Sequence, residues 1–311
     1  MKNNGVNLFF ACDDGYIPFL AVTLCSIKEH RDTSRDYDIV ILNTGIKEEN
    51  KQKLTASLSG AGFCIKFEDI SASVAALGDR LHTRDYYSKS TYFRLFIPEL
   101  YPSLDKALYL DCDIVLCADV AELYDTEVGE NLVGAAPDGF VQTVPRLHGY
   151  VTERIGVRRV ADYFNAGVLL MNLKAMREYG FARRFVDLLS EVKFDVAQDQ
   201  DYLNAICRGR CYPIEGSWNR MPGFGSGAAK LIHYNLDSKP WHKDGIEFSD
   251  IFWQYSDRSA FACEIREIRK KYRDQATSAA QTTALIDLAE AQGESTTENC
   301  VIRKTIERIC G

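Results

Sequence analysis

No stretch of the 311-residue chain approaches the ~18 to 20 consecutive apolar residues that a membrane-spanning helix requires, so helical insertion into a bilayer is not expected. No CxxC pair occurs either. The ten cysteines, Cys12, Cys25, Cys64, Cys112, Cys117, Cys207, Cys211, Cys263, Cys300 and Cys310, are scattered, which speaks against zinc or dithiol chemistry and predicts reduced, mostly buried thiols. GxGxxG and GxxxxGK[ST] are both missing, which removes dinucleotide-dependent dehydrogenases and P-loop enzymes. Basic charge is in deficit: 37 Lys and Arg against 44 Asp and Glu leave a net charge of −7, a poor match to a phosphate backbone, and no nucleic-acid partner is expected. The short apolar run Val6 to Cys12 stops at Asp13 and Asp14 without a small-residue cleavage site, so it does not read as a signal peptide, and a cytoplasmic protein is expected. Internal repeats are absent, and no Pro/Gly/Ser-rich linker interrupts the chain before residue 273, so residues 1–273 are expected to form one compact unit.

What is present reads as a soluble globular protein: 46% hydrophobic, 26% charged and 11% aromatic residues, on a chain long enough to bury a full core. Short β-branched or aromatic runs alternate with helical patterns, which predicts an α/β protein with a sheet flanked by helices. The predicted strands are Val6 to Cys12, Tyr37 to Leu42, Phe63 to Phe67, Lys106 to Leu110, Leu132 to Ala136, Gly167 to Asn172 and Lys230 to Tyr234. Helices are predicted at Pro18 to His30, Lys47 to Leu58 and Lys174 to Ser190. From Asp274 to Cys300 there is no Lys, Arg or aromatic residue, and residues 274–311 read as an acidic linker followed by a short amphipathic helix. In that helix Ile302, Ile306 and Ile309 fall at i, i+4 and i+7 beside Arg303, Lys304 and Arg308, which is a helix capping the domain or a weak peripheral membrane contact.

Several local patterns carry chemistry. In Ala107-Leu108-Tyr109-Leu110-Asp111-Cys112-Asp113-Ile114-Val115, two carboxylates two residues apart follow a strand and fall on one face. Like charges so placed need a cation or a shared proton, unless Asp111 and Asp113 merely open a turn. His233, in Ile232-His233-Tyr234-Asn235-Leu236-Asp237-Ser238-Lys239-Pro240-Trp241-His242, is either a satisfied core residue or the third member of a mixed oxygen and nitrogen set suited to manganese, with magnesium as the alternative. Lys239 is either solvated or aimed at a phosphate. In Gln198-Asp199-Gln200-Asp201-Tyr202-Leu203-Asn204, Asp199 reads as a helix N-cap or, with Gln200, as a hydrogen-bonding partner of a polar substrate. Tyr163-Phe164-Asn165-Ala166-Gly167 sets an amide and a glycine ahead of a buried strand, where backbone can approach a ligand. The first strand ends in Ala11-Cys12-Asp13-Asp14-Gly15-Tyr16, and the crevice beyond such a strand commonly receives a nucleotide.

Taken together and in this order, these clusters resemble family 8 glycosyltransferases, the retaining enzymes that include bacterial lipopolysaccharide galactosyl- and glucosyltransferases and glycogenin. FFACDDGYIPFLAVTLCSI is similar to the family's nucleotide-binding opening, and STYFRLFIPELYPSLDKALYLDCDIV to its Arg-bearing helix and DxD strand. YFNAGVLLMNL, QDQDYLN and HYNLDSKPWH resemble three further motifs, so the likeness spans Val6 to His242. It implies a GT-A type fold, a UDP-sugar donor and bound manganese. Asp111, Asp113 and His233 match the metal ligands. Asp13 and Tyr16 match uridine contacts, with Ala11 placed beside them, and Lys239 matches a diphosphate contact. Arg94, Asn165, Asp199 and Gln200 match positions that hold the donor sugar, and Asp138 one near donor and acceptor. Gln200, Asp199 and Asp138 are therefore the expected catalytic group.

The resemblance thus implies a metal-dependent transfer of galactose or glucose from UDP-galactose or UDP-glucose to a glycan or glycolipid acceptor, in the synthesis of lipopolysaccharide or other cell-surface polysaccharide. With no Glu in an obvious nucleophilic motif, front-face substitution beside the departing phosphate is the expected route to retention. Two positions depart from the family pattern: Gly15 stands where a polar residue such as Asn is frequent, and Asn235-Leu236 where a Cys-Gly pair is frequent. The competing readings are a metal-dependent nucleotidyltransferase and a catalytically inactive nucleotide- or carbohydrate-binding module.

Overall fold

The computed structural model describes residues 5–77, 81, 89–273 and 278–311. The chain divides into two compact units that interleave in sequence. One comprises Met1–Ala72, Ala107–Glu127 and Glu215–Ser278; the other comprises Ser73–Lys106, Val128–Ile214 and Ala279–Gly311. This differs from the single unit expected for residues 1–273. The chain passes between the units several times, and none of the passages is a Pro/Gly/Ser-rich linker.

In the first unit, β1 (Gly5–Ala11), β2 (Asp36–Asn43), β3 (Phe63–Asp69) and β4 (Lys106–Leu110) lie parallel in the order β3-β2-β1-β4. Val6, Leu8, Phe9 and Phe10 of β1 are fully buried, as a strand covered on both faces requires. A shorter ribbon, β5 (Ile114–Leu116), pairs antiparallel with a strand at Leu231–His233, so that Ile114 faces His233. The helix Ile17–His30 runs behind β5 with Pro in its first turn, where the missing N–H costs nothing. Its Thr23 hydroxyl lies 2.9 Å from the Cys112 carbonyl and 2.7 Å from that of Ile114, and its Ser26 hydroxyl accepts from Leu116 N–H at 2.9 Å.

In the second unit, β6 (Val133–Ala135) pairs antiparallel with β7 (Val168–Asn172) and parallel with β8 (Cys211–Pro213); the Leu231–His233 strand of the first unit is β9. The seven predicted strands are all present to within two residues at each end. β5 and β8 were not predicted. The helix predicted from Lys174 to Ser190 is two helices, Leu173–Tyr179 and Phe181–Glu191, because Gly180 adopts φ 72° and caps the first.

The acidic C-terminal stretch differs from the expected linker. Ser278–Glu294 and Thr296–Cys310 are both helices, while Asp274 lies outside the described residues. Ile302, Ile306 and Ile309 are buried, and their helix packs on the second unit's Tyr150–Ile155 turn of π-helix and on the helices Phe181–Glu191 and Asp199–Ile206. Buried Arg154 donates to Asn299 and Glu298 at 3.2 and 2.8 Å. The apolar face that would have served a membrane contact is thus turned inward. No helix among the described residues is long and apolar enough to cross a membrane. All ten cysteines are free, but only Cys12, Cys112 and Cys207 are buried, so the expectation of mostly buried thiols fails; Cys64, Cys263 and Cys300 are exposed.

Candidate functional site

In the first unit, the end of β4 and the β5–β9 ribbon bring three predicted ligands together. One ligand atom each from Asp111, Asp113 and His233 lies within 4.8 Å of the others. His233 Nε2 is 3.6 Å from Asp111 Oδ2 and 3.3 Å from Asp113 Oδ1. The other ring nitrogen, Nδ1, is 2.9 Å from the Asn219 side-chain oxygen. With that oxygen as acceptor, neutral imidazole carries its proton on Nδ1, and a lone pair on Nε2 faces two carboxylates. Asp113 Oδ1 is buried and accepts no hydrogen bond. Lone pairs converging around a buried orphan oxygen repel one another until a cation enters, so these residues fit a divalent metal.

Lys239, almost fully buried, donates to Asp113 Oδ2 and, at 3.0 Å, to the Tyr234 carbonyl. Burial is the largest single influence on Asp113 and opposes its charge, but the Lys239 ammonium and His233 together outweigh it and hold the carboxyl well below the usual carboxylate range. The same ammonium sits 5.8 Å from the centre of the Tyr16 ring and 5.3 Å from that of Trp241. Asp13 accepts from Tyr16 N–H at 3.1 Å and so fixes the turn beyond β1, while the Ala11 carbonyl accepts from Cys112 Sγ at 3.3 Å. At Gly15, an added Cβ would meet only Asp13 Oδ1, at 3.4 Å. Leu236 has φ 49°, the left-handed conformation that glycine adopts freely and that costs a leucine about 1–2 kcal/mol. The loop between His233 and Lys239 therefore keeps a glycine-type backbone without the glycine.

The second unit gathers the remaining predicted residues. Arg94 Nε is 3.0 Å from Asp199 Oδ2, both side chains being buried, and the guanidinium also donates to the Ala166 carbonyl. Asp199 is therefore not the N-cap: Gln198 occupies that position, with φ 49° and no side-chain cap. Asp138 caps the helix Gly139–Thr143 through Oδ1, which accepts from Val141 N–H at 3.0 Å. Its Oδ2 accepts from Asn165 Nδ2 at 2.9 Å and Gln200 Nε2 at 3.1 Å. Gln200 Oε1 in turn accepts from Ala166 N–H at 2.9 Å.

The sequence patterns give no role to Asn219, Asp201 or Tyr163, which hold these groups. Asn219 orients His233. Asp201, fully buried, accepts from the hydroxyls of Tyr163 and Tyr150 at 2.6 and 2.8 Å and from Ala197 N–H at 2.8 Å. Burial pushes its carboxyl up to about 6 against those hydrogen bonds. The QDQD and YFNAG motifs contain Asp201 and Tyr163, but nothing in either pattern pairs them across 38 positions.

Comparison with known proteins gives a consistent result. Residues 7–245 match the family described as glycosyl transferase family 8. A putative glycosyltransferase of Haemophilus influenzae is 25% identical over 299 residues, covering 86% of this chain and 88% of that protein. A lipopolysaccharide 1,2-glucosyltransferase of Escherichia coli K12 is 24% identical over 303 residues, covering 86% and 84%. Among solved structures, the galactosyltransferase LgtC in complex with donor and acceptor sugar analogues superposes with a TM-score of 0.70 at 28% identity, covering 82% of this chain and 96% of that one. The fold is the GT-A type that the sequence resemblance implied.

Proposed function

Because the chain belongs to glycosyl transferase family 8, a family of glycosyltransferases, we propose that it moves galactose or glucose, with retention, from a UDP-hexose to a glycan or glycolipid acceptor. The observation that carries this reading is the Asp111, Asp113 and His233 group, with its imidazole lone pair and buried orphan oxygen aimed at one point. Manganese, when bound there, supplies positive charge for the departing diphosphate, and magnesium would supply the same with a stricter demand for octahedral oxygen ligands. Lys239 places a second cation beside Asp113, and Asp13, Ala11 and Tyr16 at the end of β1 are the residues we assign to the nucleoside. Arg94, Asn165, Asp199 and Gln200 are assigned to the hydroxyls of the donor hexose, and Asp138 to the region near the acceptor. In the front-face route, the acceptor oxygen bonds to the anomeric carbon as the bond to UDP breaks, and the acceptor proton passes to the leaving phosphate oxygen. The chain's part is to orient the sugar and to stabilise charge as it develops. Such chemistry suits a cytoplasmic enzyme of cell-surface glycan synthesis.

The test is release of UDP from a panel of nucleotide sugars, with manganese and with chelator. One UDP-hexose is expected to be hydrolysed slowly by the wild type, and Asp113→Ala to lose at least about 10²-fold in rate. UDP binding without turnover of any donor, with and without candidate acceptors, would replace the transferase reading by that of an inactive binding module.

A further inference from the structure

Asp201 lies outside the groups assigned so far, yet it ends a chain of hydrogen bonds whose direction can be read atom by atom. An ionised carboxylate only accepts. The single hydroxyl proton of Tyr163 is therefore committed to Asp201 Oδ1, 2.6 Å away. The Tyr163 oxygen is left to accept, and Gln200 Nε2 stands 3.2 Å from it. The second proton of that nitrogen goes to Asp138 Oδ2 at 3.1 Å, and Gln200 Oε1 accepts from Ala166 N–H at 2.9 Å. Turning the amide over would set Oε1 against two acceptors and Nε2 against an N–H. All three neighbours thus select one orientation of Gln200, and the Tyr163 part of that selection exists because Asp201 holds the tyrosine proton.

We propose that Asp201 is a positioning residue for sugar transfer: through Tyr163 it fixes the side-chain amide of Gln200, keeping the second lone pair of Oε1 turned to the same side for a hydroxyl of the donor sugar. The inference rests on the transferase reading above, which is what gives the orientation of Gln200 a consequence for turnover. A built-in control is present. Tyr150 donates to the same carboxylate, through Oδ2 at 2.8 Å, but is not a hydrogen-bond partner of Gln200 among the described residues. Both tyrosines are buried to the same degree, at 1% exposure, so Tyr150→Phe and Tyr163→Phe each leave Asp201 one hydroxyl short in a similar setting.

The experiment uses the full chain and two readouts. The side-chain amide resonances of Gln200, identified by their loss in Gln200→Glu, report its hydrogen bonds without any substrate. Tyr163→Phe is expected to shift them and Tyr150→Phe to leave them in place. Steady-state UDP release reports the consequence: Tyr163→Phe lowers kcat by about 10- to 100-fold with KM for the nucleotide sugar within about threefold, and Tyr150→Phe stays within about threefold in both. Combined with Gln200→Ala, Tyr163→Phe should cost nothing further, since the two act on one amide. Equal losses in the two tyrosine variants, full additivity with Gln200→Ala, or unmoved amide resonances would each overturn the proposal. If the wild type turns over no nucleotide sugar, the transferase reading falls, while the resonances still decide whether Tyr163 holds Gln200.

Discussion

At the scale of single residues, Asp201 also makes a prediction about pH. Tyr150, Tyr163, the Ala197 N–H and the Arg154 guanidinium all favour its charge, but burial is the larger effect and raises the carboxyl to about 6. As pH falls through that value the carboxylate takes a proton, Tyr163 loses its fixed acceptor, and Gln200 loses one of its three constraints. The kcat of the wild type should therefore drop on the acid side of pH 6. In Asp201→Asn that limb should be missing, leaving a flat, low profile between about pH 5 and 7. A limb that survives the substitution would belong to another group. Stability runs the other way. A carboxyl whose folded value lies above its unfolded one favours the folded state most when protonated, so its contribution is largest below about pH 4 and is lost as pH rises to 6. The size is on the order of 3 kcal/mol. The difference in melting temperature between wild type and Asp201→Asn should shrink over that range and level off above it.

At the scale of elements, the same carboxylate depends on a close backbone contact. Tyr150 opens the Tyr150–Ile155 π-helical turn, and Gly293, near the end of the Ser278–Glu294 helix, packs against it. A Cβ at Gly293 would stand 2.7 Å from Tyr150 N and 2.9 Å from Gly149 C, both backbone atoms that no rotamer change can move. Gly293→Ala should therefore destabilise the protein by about 1–3 kcal/mol, read as a shift in the denaturation midpoint. Gly180→Ala would meet no steric clash and pays only for its φ of 72°, which separates crowding from backbone strain.

Elements also mark how far the sequence can be read. Long strands such as β1 and β2 announce themselves by runs of buried β-branched and aromatic residues, and the DxD pair is legible because it interrupts such a run. β5 and β8 have three residues each, too short for any period to emerge. Gly180 sits inside an otherwise continuous helical pattern, and only its left-handed conformation reveals that it ends one helix and begins another. Asn219 and Tyr163 were hidden for a different reason: a hydrogen bond to a side chain 14 or 38 positions away leaves no local spacing to detect.

At the scale of the whole molecule, the two units are not legible in the sequence, because the segments of each are separated along the chain by segments of the other. That division nevertheless sorts the assigned residues cleanly. Asp111, Asp113, His233 and Lys239, with Asp13 and Tyr16, all belong to the first unit, and Arg94, Asp138, Asn165, Asp199, Gln200 and Asp201 to the second. Binding and turnover should consequently separate under mutation. UDP carries the diphosphate and the uridine but no hexose, so its affinity should depend on the first set alone. Calorimetric titration of UDP in the presence of manganese is expected to show at least about tenfold weaker binding for Asp113→Ala, because one of the three side chains that would hold the cation is removed. Gln200→Ala should bind UDP within about twofold of the wild type while its kcat falls, the pattern of a group that acts on the sugar as the anomeric bond breaks. Weak UDP binding in Gln200→Ala would instead tie the second unit's amide network to the nucleotide, and unchanged turnover in that variant would remove Gln200 from the mechanism.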